Sequence, residues 1–140
     1  MNVTSISQIE DIFRKMSNSL EFENLLTIEA NRVLSNIKKR HGVYPDDVHW
    51  APLKQETIAR KKRGDTPLLE TGDLMNSYNI KTMPQVRSIG SDDDKAVWME
   101  KGTVDIPSRP VVLPEARKQE IEFRNNFNAF INLNISRYIK

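Results

Sequence analysis

A chain of 140 residues with a net charge of +2 has room for about one domain, and it lacks the global field that draws a protein to nucleic acid or to an anionic membrane. Leu, Ile, Val and Phe make up about a quarter of the chain, above the roughly 20 % associated with disorder, so a core is available. The longest apolar run is four residues, 96–99, too short for a helical membrane span; residues 1–20 hold Glu10 and Asp11 and no apolar stretch, so no secretory signal is expected; and with no cysteine, disulfides, thiolate catalysis and Cys-ligated zinc are excluded, which suits the cytosol.

Residues 5–40 contain no proline or glycine and read as a long helical segment. Ile6, Ile9, Phe13, Met16 and Leu20 form one stripe at helical spacing. Ser7 with Glu10 fits a capping box at its start, and Ser5 with Gln8 is a rival pair. Phe22, Leu26, Val33 and Ile37 continue the period, but Phe22 lies about 200° round from Leu20 at 100° per residue. The helix therefore breaks near Ser17, Asn18 and Ser19, or changes partner there. Lys38, Lys39, Arg40 and His41 complement its negative end, and Gly42 supplies a left-handed residue beyond it.

Residues 43–52 have two prolines, two aspartates and no period, the pattern of an exposed connection. Pro52 suits the first position of a short helix over 53–62, closed by Gly64. Residues 67–78 read as two short pieces joined at a Thr71-Gly72 turn. Residues 79–83 and 86–90, separated by Pro84 and Gln85, form a candidate hairpin in which Val86 and Ile89 face opposite sides, so a bulge is one option. Residues 91–94 read as an acidic turn, and 96–100 fits strand or helix equally. The β-branched run 109–113 lies among Pro107, Pro110 and Pro114 and suits an edge strand. Residues 115–138 form an amphipathic helix, with Phe123, Phe127, Ile131 and Ile135 at steps of four. The expected fold is α+β in one domain, 1–140: a small, mostly antiparallel sheet from residues 79–113, covered by the long N-terminal helical segment and the C-terminal amphipathic helix. Trp50, Leu53, Leu68, Leu69 and Leu74 are expected to pack together.

The search for chemistry returns little. Asp46, Asp47 and His49 are metal donors within four positions, but their spacing matches no metal motif, and Asp after Pro is ordinary turn chemistry. Neither His41 nor His49 has a local context that names a serine partner, and five scattered glycines form no phosphate loop. The run Asp92, Asp93, Asp94 reads as a solvated turn. No cofactor, no metal and no enzymatic activity are expected. The sharpest local charge is Lys54, Arg60, Lys61, Lys62 and Arg63 against Glu56, a net +4 over ten residues, either a solvated helix end or a surface for phosphates. Trp98 reads as core by default, and Trp50 as core or interface anchor.

Taken in order, Trp50, Pro52, Leu53, Thr57, Ile58, Lys61, Leu68, Leu69, Thr71, Gly72, Leu74, Ser77, Ile89, Gly90, Ala96, Glu100, Gly102, Ile106, Pro107, Arg109 and Pro110 resemble the phage virion morphogenesis or tail-completion family, small neck proteins of long-tailed phages including Mu-type ones. The likeness spans residues 50–113, about half of the chain, and departs from the family pattern at Lys95, Met99, Lys101 and Val111.

The resemblance implies a non-catalytic head-tail neck protein that forms a homo-oligomeric ring, hexameric or dodecameric, around the DNA channel. It would be needed for tail completion or for attaching the tail to the filled head. It would reside in the virion neck or tail, and in the host cytoplasm during assembly. Its partners would be further copies of itself, neighbouring neck, connector or tail-tube proteins, and DNA in the channel without sequence preference, with no membrane. Trp98, Met99, Glu100, Arg109, Val111 and Val112 are the expected subunit contacts, with Arg109 bonding a neighbour's carboxylate or carbonyls. Ile58, Lys61, Lys62 and Arg63 form a surface that faces either the channel or an acidic neighbour, the latter slightly favoured. The rival reading is a small nucleic-acid-binding regulator using residues 54–63; a hydrolase is the third class.

Overall fold

The computed structural model describes residues 5–138. Two helices set the frame, α2 (Leu20–Lys39) and α6 (Val112–Asn134), packed against each other with a two-stranded antiparallel hairpin laid on α2. Short elements fill the remainder: α1 (Ile6–Ser17), α3 (Gln55–Arg60), α4 (Asp73–Ser77), strands β1 (Tyr78–Met83) and β2 (Val86–Ser91), α5 (Asp94–Lys101), and a 3-10 turn, Ile135–Arg137, after α6. The fold is α+β.

The N-terminal segment breaks where its stripe jumps. Ser5 and Gln8 form the capping box of α1, so the Ser7–Glu10 alternative falls inside the helix. Ser19 caps α2 by accepting a hydrogen bond from the Phe22 amide at 3.2 Å, which closes one helix and opens the next within two residues. The break turns Ile12 and Met16 of α1 and Phe22 of α2 toward Phe130 of α6, forming a small core at one end of the molecule. At the far end of α2, Gly42 takes φ +89° and its amide donates to the Pro67 carbonyl at 2.7 Å, turning the chain back.

The hairpin pairs Tyr78 with Ser91, Ile80 with Ile89 and Met83 with Val86 in one unbroken register, so no bulge is needed. Val86 is exposed on one side, and Ile89 packs on the other against the main core. That core holds Ile37, Trp50, Tyr78, Ala96 and Val111, with Val33, Leu34, Leu68 and Leu74 around it.

Several expectations are corrected. The sheet ends at Ser91 and does not run to residue 113. Residues 96–100 are helical because the Asp93 carboxylate caps α5 through the Lys95 amide. Residues 109–113 make no edge strand. The chain there enters α6 at Val112, and Pro114 sits in the first turn, where a missing N–H costs nothing. The short helix starts at Gln55, so Pro52 stands outside it and Lys54 takes the cap position. The last helix begins three residues earlier than expected and gives way to the 3-10 turn at Ile135. Trp98, expected in the core, is 47 % exposed, while Trp50, open between core and interface anchor, is core at 3 % exposure.

A candidate interaction groove built from residues 51–109

The segments between the helices carry no period, so side-chain to backbone hydrogen bonds hold them in place. Arg109 is buried, and its guanidinium donates from Nε and Nη2 to the Ala51 carbonyl at 3.1 and 2.8 Å, while its amide donates to the Met99 carbonyl at 2.6 Å. Trp50 Nε1 returns the tie by donating to the Pro110 carbonyl at 3.2 Å. These bonds fasten residues 50–52 to residues 109–110. A rigid fork reaching one carbonyl from two nitrogens is arginine geometry that lysine cannot copy.

On the opposite wall, Lys61 Nζ donates to the Leu69 carbonyl at 2.7 Å, and Arg63 Nε to the Glu70 carbonyl at 2.8 Å. The Glu70 carboxylate accepts from the Lys62 amide at 3.1 Å and lies 3.6 Å from Lys61 Nζ. The end of α3 and residues 66–70 thus pin each other. Leu68 is held at φ +61°, a left-handed conformation costing about 1–2 kcal/mol, as its side chain packs on the core. Tyr44 ties both sides, donating to Asp65 at 2.6 Å and accepting from the Leu53 amide at 3.0 Å. Burial, reinforced by the Asp65 carboxylate, raises the Tyr44 pKa above the usual phenol value.

Between these walls runs an open groove of about 640 Å³. Its apolar lining comes from Leu53, Leu68, Leu69, Leu74, Met99 and Ile106, and its rim carries Lys54, Arg60 and Lys95 together with Glu56, Asp73 and Asp105. Gly102 makes the third wall possible. At φ +77° it folds residues 102–108 so tightly that a Cβ would stand 2.9 Å from the Ser108 amide nitrogen, and this fold carries Ile106 and Pro107 to the groove.

The candidate residues distribute as follows. Arg109 and Val111 are turned into their own chain: the fork expected to reach a neighbour's carbonyls takes those of Ala51 and Pro52, and Val111, at 1 % exposure, belongs to the core. Glu100 is engaged too. Its carboxylate accepts from the amides of Val111, Val112 and Leu113 at 2.8–3.2 Å, capping α6 from a helix eleven to thirteen residues upstream. Val112 is half-buried, and Met99 faces the groove. Trp98 stays open, as do Val97, Val104 and Leu113. In the basic segment Lys61, Arg63 and Arg60 each donate to a backbone carbonyl, Arg60 Nε to that of Glu56 at 3.4 Å, and Ile58 is half-buried; Lys54, Arg60, Lys62 and Arg63 are exposed with no ion pair among the described residues. Asp47 accepts from Arg40 at 2.6 and 2.7 Å, and among the described residues no set of three His, Asp or Glu comes together that could hold a metal ion.

Sequence reasoning missed the cap at Glu100 and the contribution of Lys95 and Asp105 to the groove. No local pattern signals either, because the elements meet only after folding. No protein family, characterised protein or solved structure matches this chain.

Proposed function

We propose that the chain is a non-catalytic, ring-forming subunit of a phage head-to-tail joint, and that the groove receives a segment of a neighbouring neck or tail protein. One observation carries the reading. Leu53, Thr57, Lys61, Leu68, Leu69, Thr71, Gly72, Leu74, Ile106, Pro107 and Arg109, all residues of the neck-protein resemblance, come from separate elements and converge on this one groove. Lys61 and Arg109 among them direct their hydrogen bonds to backbone groups, which gives a wall of fixed shape. A joint between preformed parts needs that rigidity, because a surface already ordered loses less conformational freedom on docking.

Of the two faces considered for the basic segment, the docking surface is favoured. Lys54, Arg60 and Lys61 all line the groove and Lys61 is paired with Glu70, so much of the segment's charge is directed to the groove and less to a belt around DNA.

The test is to produce particles without this chain, and with Lys54, Arg60 and Lys62 changed to Gln. Loss of the chain should leave separate heads and tails by electron microscopy, and the triple variant should partly reproduce that defect. Normal joining with altered DNA retention would shift the segment to the channel. Tight duplex or RNA binding by the free chain, falling steeply with salt, would favour the regulator instead.

A further inference from the structure

Helix α1 meets the body along only half of its apolar arc. At 100° per residue, Ile12, Met16, Ile9, Phe13 and Ile6 share an arc of about 120°. The Ile12 and Met16 half is buried, while Ile6, Ile9 and Phe13 remain 75, 43 and 47 % exposed. Beside the C-terminal half of the exposed stripe lies a mostly apolar crevice of about 270 Å³, lined by Phe13, Met16, Phe127 and Ile131 with Arg14 among its walls. Along the polar edge of the stripe run Glu10 and Arg14, one acidic and one basic. Asp11, farther round, is bridged by Arg14 and Lys15, whereas Glu10 forms no ion pair among the described residues.

We propose that α1 pairs with the α1 of a second copy of this chain, antiparallel about a two-fold axis near residue 11. The inference does not depend on the head-to-tail reading. An antiparallel two-fold keeps each polar edge beside its counterpart and reverses its direction. With a rise of about 1.5 Å per residue and axes about 8–10 Å apart, Ile9 then stands opposite the partner's Phe13, and Phe13 opposite the partner's Ile9. Glu10 comes within about 3 Å, along the axis, of the partner's Arg14, and long side chains span the lateral gap. Ile6, the most exposed of the three, falls level with the partner's Met16 at the mouth of the crevice. The stripe, the unpaired Glu10 and the crevice are thus satisfied by one operation, with Arg14 shared between Asp11 of its own helix and the partner's Glu10, and each contact occurs twice. A parallel pair would put the polar edges on opposite sides of the seam, with no Glu10–Arg14 pairing and no crevice beneath Ile6.

The test measures the mass of the full chain across concentration by sedimentation equilibrium, with circular dichroism as a folding control. The expected species is a dimer of the 16.2 kDa chain. Phe13→Glu should leave a folded monomer. Glu10→Arg alone and Arg14→Glu alone should each weaken the dimer about tenfold or more, because each sets like charges together twice, and the double exchange should recover most of that loss. If Phe13→Glu unfolds α1, the charge exchange at the exposed positions decides alone. A monomer at the highest soluble concentration overturns the proposal. So does a dimer or larger ring indifferent to the α1 substitutions, or a double exchange that restores nothing.

Discussion

Glu100 shows how one side chain can decide where a helix begins. The first amides of an α-helix have no partner within it, and the residue at the cap position of α6, Val111, has no acceptor to offer. The Glu100 carboxylate meets three of those amides at once, and its negative charge lies at the positive end of the helix. Glu100→Ala should therefore cost about 1–3 kcal/mol, the penalty for stranding half-buried donors, and Glu100→Gln less, since one amide oxygen still accepts. Urea denaturation at neutral pH measures both, and midpoints equal to the parent would remove Glu100 from this role. Caps drawn from the same stretch of chain, Ser5, Ser19 and Asp93, sit within reach of local pattern reading. Glu100 does not, because its acceptor function appears only once residues 102–108 have folded back. Arg109 is half legible: the fork geometry follows from the residue type, but its carbonyl partners lie 57 and 58 positions away.

Among the elements, those with a strong period are readable and those fixed by long-range bonds are not. The stripes of α1 and α6 and the hairpin come directly from spacing, and the break at residues 17–19 from the jump between Leu20 and Phe22. The run at 109–113 misleads because β-branched residues suit a strand, whereas Glu100 and Pro114 together start a helix there. The groove is legible only as a packing cluster. Trp50, Leu68 and Leu74 do join the core, but Leu53 and Leu69 line the open wall. Its third wall rests on Gly102, which gives a comparison between two glycines of similar φ. Gly64 has φ +67° and open space around it; Gly102 has φ +77°, and a Cβ added there would meet the backbone of Ile106 and Ser108 at 3.0 and 2.9 Å. Both alanine variants carry the cost of a positive φ, but Gly102, with ψ 168°, lies in an extended region that is essentially reserved for glycine and costs about 1–3 kcal/mol, and only Gly102→Ala must also displace its neighbours. Its melting temperature should fall clearly further than that of Gly64→Ala. Equal losses would mean that residues 102–108 yield freely and do not form a fixed wall.

At the scale of the whole molecule, two apolar cores are joined along α2 and α6 by a polar seam, and the seam makes stability depend on pH. Burial raises the Glu115 pKa, but hydrogen bonds from Arg40, Gln119 and Asn36 outweigh it and leave the carboxyl below the usual range; Arg40 likewise holds Asp47 low. Groups depressed in the folded state stabilise it above their unfolded pKa, about 4 for carboxyls, and that contribution is lost as pH falls through the folded values. His41 starts the loss earlier. It is buried at the end of α2 with its ring centroid 5.5 Å from that of Tyr78, Nδ1 lies 3.0 Å from the Ile37 carbonyl, and Nε2 has no hydrogen-bond partner among the described residues. Burial drives its pKa below 6.5, only partly opposed by the carbonyls of Ile37 and Lys38. The unfolded chain therefore takes this proton first, and stability declines as pH drops below 6.5. At the alkaline end the sign reverses. Burial, with Glu100 and Asp93 adding to it, pushes the Tyr78 phenol up to about 12, so its contribution is complete below pH 10 and fades as pH rises toward 12. Unfolding free energy against pH should thus show a plateau near neutrality, a shallow fall starting below about 6.5, a steeper one below about 4.5, and a decline above about 10. His41→Gln should remove the shallow acid step and leave the steep one in place. Tyr78→Phe should reduce the alkaline decline and leave the share of Tyr44, whose phenol is also raised. A profile unchanged between about pH 7.5 and 5 would show that His41 takes up its proton as readily in the folded chain as in the unfolded one, which its burial beside Tyr78 opposes.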